Sequence, residues 1–313
     1  MPRIYFAADA HGSSLVWRKW LTAPTQYKAD VLLFCGDLTG KMIVPIIQLE
    51  DGTWTTHAFN KVHKFKTREE ADKLVESIEK TGWYPYRCSA QEFLELQKNP
   101  DKLDKLFKEQ MAGRVSSWLK LLLEKVDIKE KTVVCMPGND DEKIVDEVIQ
   151  SFESDGIIYP LNKVVEIAKK HEMISLDYVN PTPWKTPREC TEDELKKKID
   201  GLVSKLKNPA NAIFNFHCPP YDTYLDLAVK LDKDLKPSRD ERVHVGSKAV
   251  RDAIDKYQPL LGTHGHIHES FASQEIGRTV VVNPGSEYTE GILRGFIIDL
   301  ADDKIERYWK VEG

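Results

Sequence analysis

The sequence predicts an α/β fold, because short apolar runs alternate with amphipathic helical patterns along the 313 residues. Apolar runs of about four to eight residues, rich in Val, Ile and Phe and bounded by Gly or Pro, are typical of buried strands. Strands that alternate with helices are typical of α/β proteins. The chain is also long enough to bury a core without disulfides.

Most of the predicted strands end at a residue that can bind a metal or a phosphate. The runs IYFAA, DVLLFCG, TVVCMPG, NAIFNF, PLLGTHG and RTVVV lead to Asp9, Asp37, Asn139, His217, His266 and Asn283. In open α/β sheets, ligands bind where the carboxyl ends of strands meet the loops. We therefore expect most of these ends to lie on one edge of a sheet, forming a site from distant segments.

Helical patterns lie between the runs, at 13–21, 142–152, 192–207 and 247–257. The third follows the sequence TEDE, a capping signal in which Thr and Glu satisfy the first backbone donors of a helix. These patterns complete the predicted alternation.

Residues from about 40 to 130 interrupt this alternation of strands and helices. Two strand-like runs flank Asp51-Gly52, a strong hairpin signal, and helices are predicted at 67–80, 90–97 and 101–125. We predict one domain over residues 1–313 with an inserted subdomain at about 42–128. It would form a cap or subdomain that controls access or assembly, because its residues lack strand-end placement.

Charge and cysteine content narrow the class of protein. The net charge is -5, from 45 basic and 50 acidic residues, so the total gives no support for sequence-independent nucleic-acid binding. The five cysteines are odd in number and form no CxxC pair, which argues against a disulfide framework and a thiolate zinc site. The N-terminal run is too short and polar for a signal peptide or membrane span. We expect a cytoplasmic protein that does not bind membranes.

Seven residues in these motifs supply carboxylate, imidazole and amide ligands and no thiolate: Asp9, His11, Asp37, Asn139, His217, His266 and His268. That mixture suits Mn, Fe or Zn. Seven ligands are too many for one tetrahedral ion and about right for two, if one carboxylate bridges them. We therefore expect two divalent metal ions and no organic cofactor.

The order DxH, GD, GN, H, GHxH resembles the calcineurin-like metallophosphoesterase superfamily, and NPGS at 283–286 fits the same resemblance. A closer likeness is to the Icc-related predicted phosphoesterases. It is carried by GDLTGK (36–41), NPTPWKTPRE (180–189), HCPPY (217–221), HVGSKAVRDAI (244–254), GHIHES (265–270) and NPGSEY (283–288).

The resemblance implies an αββα sandwich of two mixed sheets and hydrolysis of phosphoesters by a metal-bridging hydroxide. Diesters are the more expected substrates. It also implies that Asp37 bridges the metals, and it divides the other ligands between them, with Asp9, His11 and His268 on one and Asn139, His217 and His266 on the other. Two alternatives stay open: a metal-dependent nuclease, and a non-catalytic scaffold on the same fold.

PGNDD, residues 137–141, departs from the superfamily pattern, because Asp140 stands where a histidine is implied to help the leaving oxygen depart. One interpretation is a catalytic position, beside Asn139, at which an ionised carboxylate is a poor proton donor. The other is that Asp140 only caps the helix that begins near Glu142. The loop aromatics Trp184, Tyr221 and Tyr224 could likewise stack on a base or aryl group, although core packing is commoner.

Overall fold

The protein is described from a computed structural model that covers residues 1–168 and 170–313, with the backbone alone at 239 and 240. In chain order the strands are β1 Arg3–Ala7, β2 Val31–Cys35, β3 Ile43–Gln48, β4 Trp54–Ala58, β5 Lys61–Phe65, β6 Tyr84–Ser89, β7 Thr132–Met136, β8 Ile157–Ile158, β9 Val164–Ile167, β10 His171–Leu176, β11 Ile213–Phe216, β12 Leu227–Leu231, β13 Pro237–His244, β14 Leu261–Thr263, β15 Ala272–Ile276, β16 Thr279–Asn283, β17 Arg294–Leu300 and β18 Ile305–Glu312. The α-helices are α1 Ser14–Trp20, α2 Ala23–Gln26, α3 Arg68–Lys80, α4 Ala90–Lys98, α5 Pro100–Lys125, α6 Ile144–Ser151, α7 Glu192–Val203 and α8 Lys248–Tyr257.

Two six-stranded mixed sheets form the centre of the fold. The first has the order β18-β17-β1-β2-β7-β8 and the second β15-β16-β14-β11-β10-β9. In each sheet the inner strands are parallel, whereas β17 pairs antiparallel with β1, and β15 pairs antiparallel with β16. The αββα sandwich implied by the superfamily resemblance is therefore confirmed, and the α/β prediction with it.

The expectation that most strand ends share one sheet edge is wrong. β1, β2 and β7 belong to the first sheet, whereas β11, β14 and β16 belong to the second. Hydrophobic periodicity identifies strands but does not assign them to sheets, because pairing depends on contacts between distant segments. The ligand-bearing loops meet because the carboxyl ends of the two sets of strands converge.

The core is divided by the second sheet. One cluster includes side chains from both sheets, such as Phe6 and Leu261, and extends to α1 and α5, where Trp17 stacks on Trp118 at 4.8 Å between ring centroids. The other cluster covers the opposite face of the second sheet with α7 and α8. The predicted capping box is present at Thr191 and Glu194, at the start of α7.

Residues 43–98 add a four-stranded sheet of order β5-β4-β3-β6 and two helices, with a small core of their own. The second predicted run of the hairpin is in fact two strands, because Phe59 and Asn60 adopt φ of 52° and 59°, which turns the chain. No run was predicted for β6, β8, β9, β10, β12, β13, β15, β17 or β18.

The long helix α5 links this segment to the main core. Its C-terminal half buries Val115, Trp118 and Leu119 in the core cluster shared by the sheets. Arg114 donates to the carbonyl of Gly12 at 2.8 Å, so the same helix also contacts the loop after β1. The boundary predicted near residue 128 stays a prediction. Within residues 1–168 and 170–313, no helix has the length and apolar character needed to cross a membrane.

Candidate metal centre

The seven predicted ligands lie together in the loops that follow five strands of the two sheets. Asp9 and His11 follow β1, Asp37 follows β2, and the others follow β7, β11 and β14. Five are buried and the last two histidines are partly buried. Asn283 ends β16, but its side-chain amide donates to the carbonyls of Leu225, Gly265 and Ile267, so it holds the GHIH loop in place.

The ligands form two groups that share Asp37. Asp9, His11, Asp37 and His268 each offer an atom within 4.8 Å of the others, and so do Asp37, His217 and His266. Asn139 joins the second group, because its Oδ1 lies 3.0 Å from Nε2 of His217. This is the grouping implied by the family resemblance. That the seven residues bind metal stays a proposal.

Several ligands occupy unfavourable backbone conformations. Asp9, His11, Asp37 and His266 have φ of 57°, 41°, 45° and 70°. Non-glycine residues rarely adopt positive φ, and such strain concentrates at functional sites where the surrounding structure maintains it. Four of the thirteen described non-glycine residues with positive φ are thus predicted ligands whose side chains converge.

The glycines of the GD and GN motifs make room for that convergence. A Cβ on Gly36, whose φ is 109°, would lie 1.9 Å from Nδ1 of His217. A Cβ on Gly138 would lie 2.2 Å from Oδ1 of Asp37. Any larger residue at either position would displace a predicted ligand.

The electrostatics of the cluster fit a divalent cation. Burial raises the pKa of Asp9 to about 8, and burial lowers the pKa of His266 to about 3 and that of His268 to about 4. The imidazoles of His266 and His268 are thus neutral, the form that binds metal. Nε2 of His11 lies 2.9 Å from Nε2 of His268, so two lone-pair donors face one point.

His217 and Asp37 lie within ion-pairing distance of each other. Burial lowers the pKa of His217, but the adjacent Asp37 carboxylate raises it to about 9. The two side chains are 3.3 Å apart. A cation between them would replace the proton of His217, since metal ligands must be deprotonated.

Asp140 does not cap a helix, so the capping interpretation is wrong. α6 begins at Ile144, and the Asp140 carboxylate forms an ion pair with Lys41 and lies 3.8 Å from Nδ1 of His11. Burial and the nearby Asp37 raise the pKa of Asp140 to about 6. Asp140 therefore faces the metal centre, and its role in catalysis stays a prediction.

Asp141, the next residue, joins two ligand loops. Its carboxylate accepts hydrogen bonds from the backbone N–H groups of Leu38 at 2.9 Å, Thr39 at 2.8 Å and Gly138 at 2.8 Å. A buried carboxylate with such donors keeps the GD and GN loops at a constant separation. The adjacent aspartates of PGNDD thus have different surroundings.

The loop at 180–189 orients Asn139. Thr186 Oγ1 accepts from Nδ2 of Asn139 at 2.9 Å and donates to Glu189 at 2.8 Å. Because the amide nitrogen is engaged, Oδ1 of Asn139 faces His217 and the metal centre. Hydrogen-bond partners of this kind fix the orientation of metal ligands.

Three residues near the centre were not identified from the sequence: Lys41, Thr186 and Tyr288. The ring of Tyr288 lies 4.8 Å from that of His11. The motifs GDLTGK, NPTPWKTPRE and NPGSEY contain them, so a signal was present. Their side-chain roles depend on contacts between loops that are far apart in sequence.

A cavity of about 690 Å³ opens beside the predicted ligands. Its described lining includes Asp37, Lys41, Asn139, Asp140 and His268, and none of residues 42–128. The described structure therefore gives no support to the expectation that the inserted segment caps the site. The segment instead packs behind the ligand loops, where Tyr84 Oη accepts from the backbone N–H of Gly40 at 2.8 Å.

Comparisons with known proteins agree with this fold. No family model matches the chain. An uncharacterized protein of Methanocaldococcus jannaschii, MJ1162, is 36% identical over 154 residues. The match spans 49% of this chain and 63% of that protein, which is less than two thirds of its length.

Solved structures match over nearly the whole chain. TT1561 of Thermus thermophilus is 14% identical, with a TM-score of 0.55, and the match covers 100% of this chain and 98% of that one. The calcineurin-like phosphoesterase YfkN of Bacillus subtilis is 10% identical over 99% of this chain and 90% of its own, with a TM-score of 0.42.

The two mixed sheets are those that the superfamily resemblance implies. TT1561 shares this fold over the whole chain. Membership of the calcineurin-like metallophosphoesterase superfamily stays a prediction from the motifs. The narrower likeness to Icc-related phosphoesterases stays a prediction.

Proposed function

We propose that this protein hydrolyses phosphoesters, diesters in preference to monoesters, with two divalent metal ions. The proposal rests on one observation: seven ligand atoms converge from two sheets as two groups that share Asp37. When bound, divalent ions would supply Lewis acidity and a nucleophilic water. Mn, Fe and Zn all suit the imidazole and carboxylate ligands.

The residues of the chain have separate tasks in this proposal. Asp37 belongs to both groups of ligands and would fix the distance between them. Asn139 offers its neutral amide oxygen to the second group, because Thr186 occupies its nitrogen. Lys41, beside Asp140, presents an ammonium group at the cavity wall, where it can contact a phosphate oxygen.

Charge in the cavity favours diesters. The described lining contains Lys41 and Lys230 against Asp37, Asp140 and Glu269, and Lys230 is paired with Glu241. Because acidic side chains outnumber basic ones in this lining, a dianionic monoester would meet more repulsion there than a singly charged diester. A diester carries one negative charge and has two ester groups, which an open cavity can accommodate.

Metal analysis with a substrate panel tests the proposal. Protein that is stripped with a chelator and reloaded should bind about two ions per chain. The loaded protein should hydrolyse bis(p-nitrophenyl) phosphate with kcat/KM at least about tenfold above that for p-nitrophenyl phosphate, a difference of about 1.4 kcal/mol.

The stripped protein is the control, and single-stranded oligonucleotides complete the panel. Binding of one ion at most, or no turnover of any phosphoester with Mn, Fe or Zn, would overturn the proposal. Faster cleavage of oligonucleotides than of small diesters would favour the nuclease alternative.

Asp140→His should change the dependence on the leaving group. A histidine beside the metal centre can donate a proton near neutral pH, whereas the Asp140 carboxylate already accepts from Lys41. We expect turnover of alkyl diesters to rise by about tenfold and that of activated aryl diesters to change by less than about twofold. Rates on a series of diesters with different leaving groups measure this.

Glu269→Gln provides the matched control, because Glu269 lines the same cavity and is exposed. It should leave the leaving-group dependence as it is in the parent protein. If Asp140→His keeps its fold and metals but its rates depend on the leaving group as those of the parent protein do, the residue at position 140 does not limit departure of the leaving group.

A further inference from the structure

The cavity beside the metal centre has an aromatic and aliphatic half that the chemistry of hydrolysis does not use. We propose that this half binds a flat aromatic group of the substrate, such as a nucleobase or an aryl group, against Trp184. The inference rests on the proposed function, since it places the phosphoryl group at the metal centre. It names the substrate class as aromatic phosphoesters.

Trp184 is unusually exposed for a tryptophan, at 65% of its surface, and it lines the cavity. The expectation that it packs in the core is thus wrong. Exposed aromatic side chains on defined loops are typical of recognition sites.

The loop that carries Trp184 is held in place on both sides. Glu189 accepts from the backbone N–H of Thr182 at 3.0 Å and of Thr186 at 2.7 Å, so one carboxylate clamps the residues before and after the tryptophan. The N–H of Trp184 donates to Thr182 Oγ1 at 3.2 Å. The aromatic side chain is therefore presented on an ordered loop, which reduces the entropy lost on binding.

The β12–β13 hairpin provides further apolar lining. Ala228, Val229, Leu231, Val243 and Val245 are partly buried and line the cavity. With Trp184 they form an apolar region next to the polar metal centre.

The dimensions agree with a ligand of nucleotide size. A volume of about 690 Å³ lies in the range of small-molecule sites, roughly 300–1,000 Å³. The same cavity contains Asp37, Asn139 and His268. One ligand could therefore place its phosphoryl group at the metal centre while its aromatic group contacts Trp184.

Binding of two phosphonates tests the inference without turnover. On the manganese-loaded protein, titration calorimetry should show phenylphosphonate binding about tenfold tighter than methylphosphonate, since both offer the same head group. In Trp184→Ala the ratio of the two dissociation constants should fall to within about twofold of one, with methylphosphonate affinity unchanged. Trp184→Phe should retain most of the preference.

Tyr224→Ala is the matched control, because Tyr224 is 66% exposed but is not among the residues lining the cavity. It should leave the ratio unchanged. Equal affinity of the two phosphonates in the parent protein, or equal weakening of both in Trp184→Ala, would overturn the inference while hydrolysis of phosphoesters stands. Absence of both phosphonate binding and hydrolysis would instead show that the proposed function has failed.

Discussion

Asp37→Asn should lower phosphoester hydrolysis by about a thousandfold, whereas Asn139→Ala should lower it by about ten- to a hundredfold. Asp37 is the residue common to both ligand groups, and it lies 3.3 Å from His217 and 3.6 Å from His11. Its charge would act on both proposed ions, so a neutral amide in its place should weaken both ligand groups. Asn139 is a neutral ligand to one group only.

Initial rates and metal content measured on the same samples check this difference. Asn is nearly isosteric with Asp, so the Asp37 variant should keep its fold by circular dichroism while it binds fewer ions. Thr186→Val is a useful companion, because it removes the hydrogen bond to Asn139 and leaves every predicted ligand present. Equal losses in Asp37→Asn and Asn139→Ala, with metals retained in both, would contradict the different roles of these two ligands.

Arg188→Met should lower the free energy of unfolding by about 3–5 kcal/mol. The guanidinium is fully buried and binds Asp177 and Asp146, each at 2.5 Å. Its Nε donates to the carbonyl of Asp141 at 2.8 Å, beside the ligand loop of Asn139. Removing the arginine leaves the carboxylates of Asp146, 15% exposed, and Asp177, 7% exposed, without the guanidinium.

Urea unfolding at neutral and acidic pH measures the effect. Burial raises the pKa of Asp146, but its bond to Arg188 holds that pKa below the usual value. The stability that this pair contributes is therefore present above the unfolded pKa and lost as pH falls through the folded one. The difference between parent and variant should thus shrink in acid.

Lys108→Met is the matched control, since its ion pair with Asp104 at 2.8 Å is exposed on one helix. Exposed pairs of this kind contribute little to stability, so this variant should unfold nearly as the parent does. A comparable loss of stability in both variants would show that burial of Arg188 is not the cause.

Sequence alone was sufficient for the strands that precede the predicted ligands and for the main helices, and it proposed the seven ligands. Buried strands such as β2 are continuous apolar runs, and α7 begins at a capping box whose residues are adjacent in sequence. Motif order indicated the superfamily, because His and Asp at fixed distances after strands are chemically specific. These signals are local, and local patterns can be read from a single chain.

Only the tertiary structure decided the rest. It assigned the strands to two sheets, paired Asp140 with Lys41, and placed Trp184 on the cavity wall. Residues 140 and 41 are distant in sequence, and their contact follows from how the loops after β2 and β7 meet. Periodicity shows which face of an element is apolar, but it does not show which other segment covers that face or leaves it open, because that depends on the packing of the whole chain.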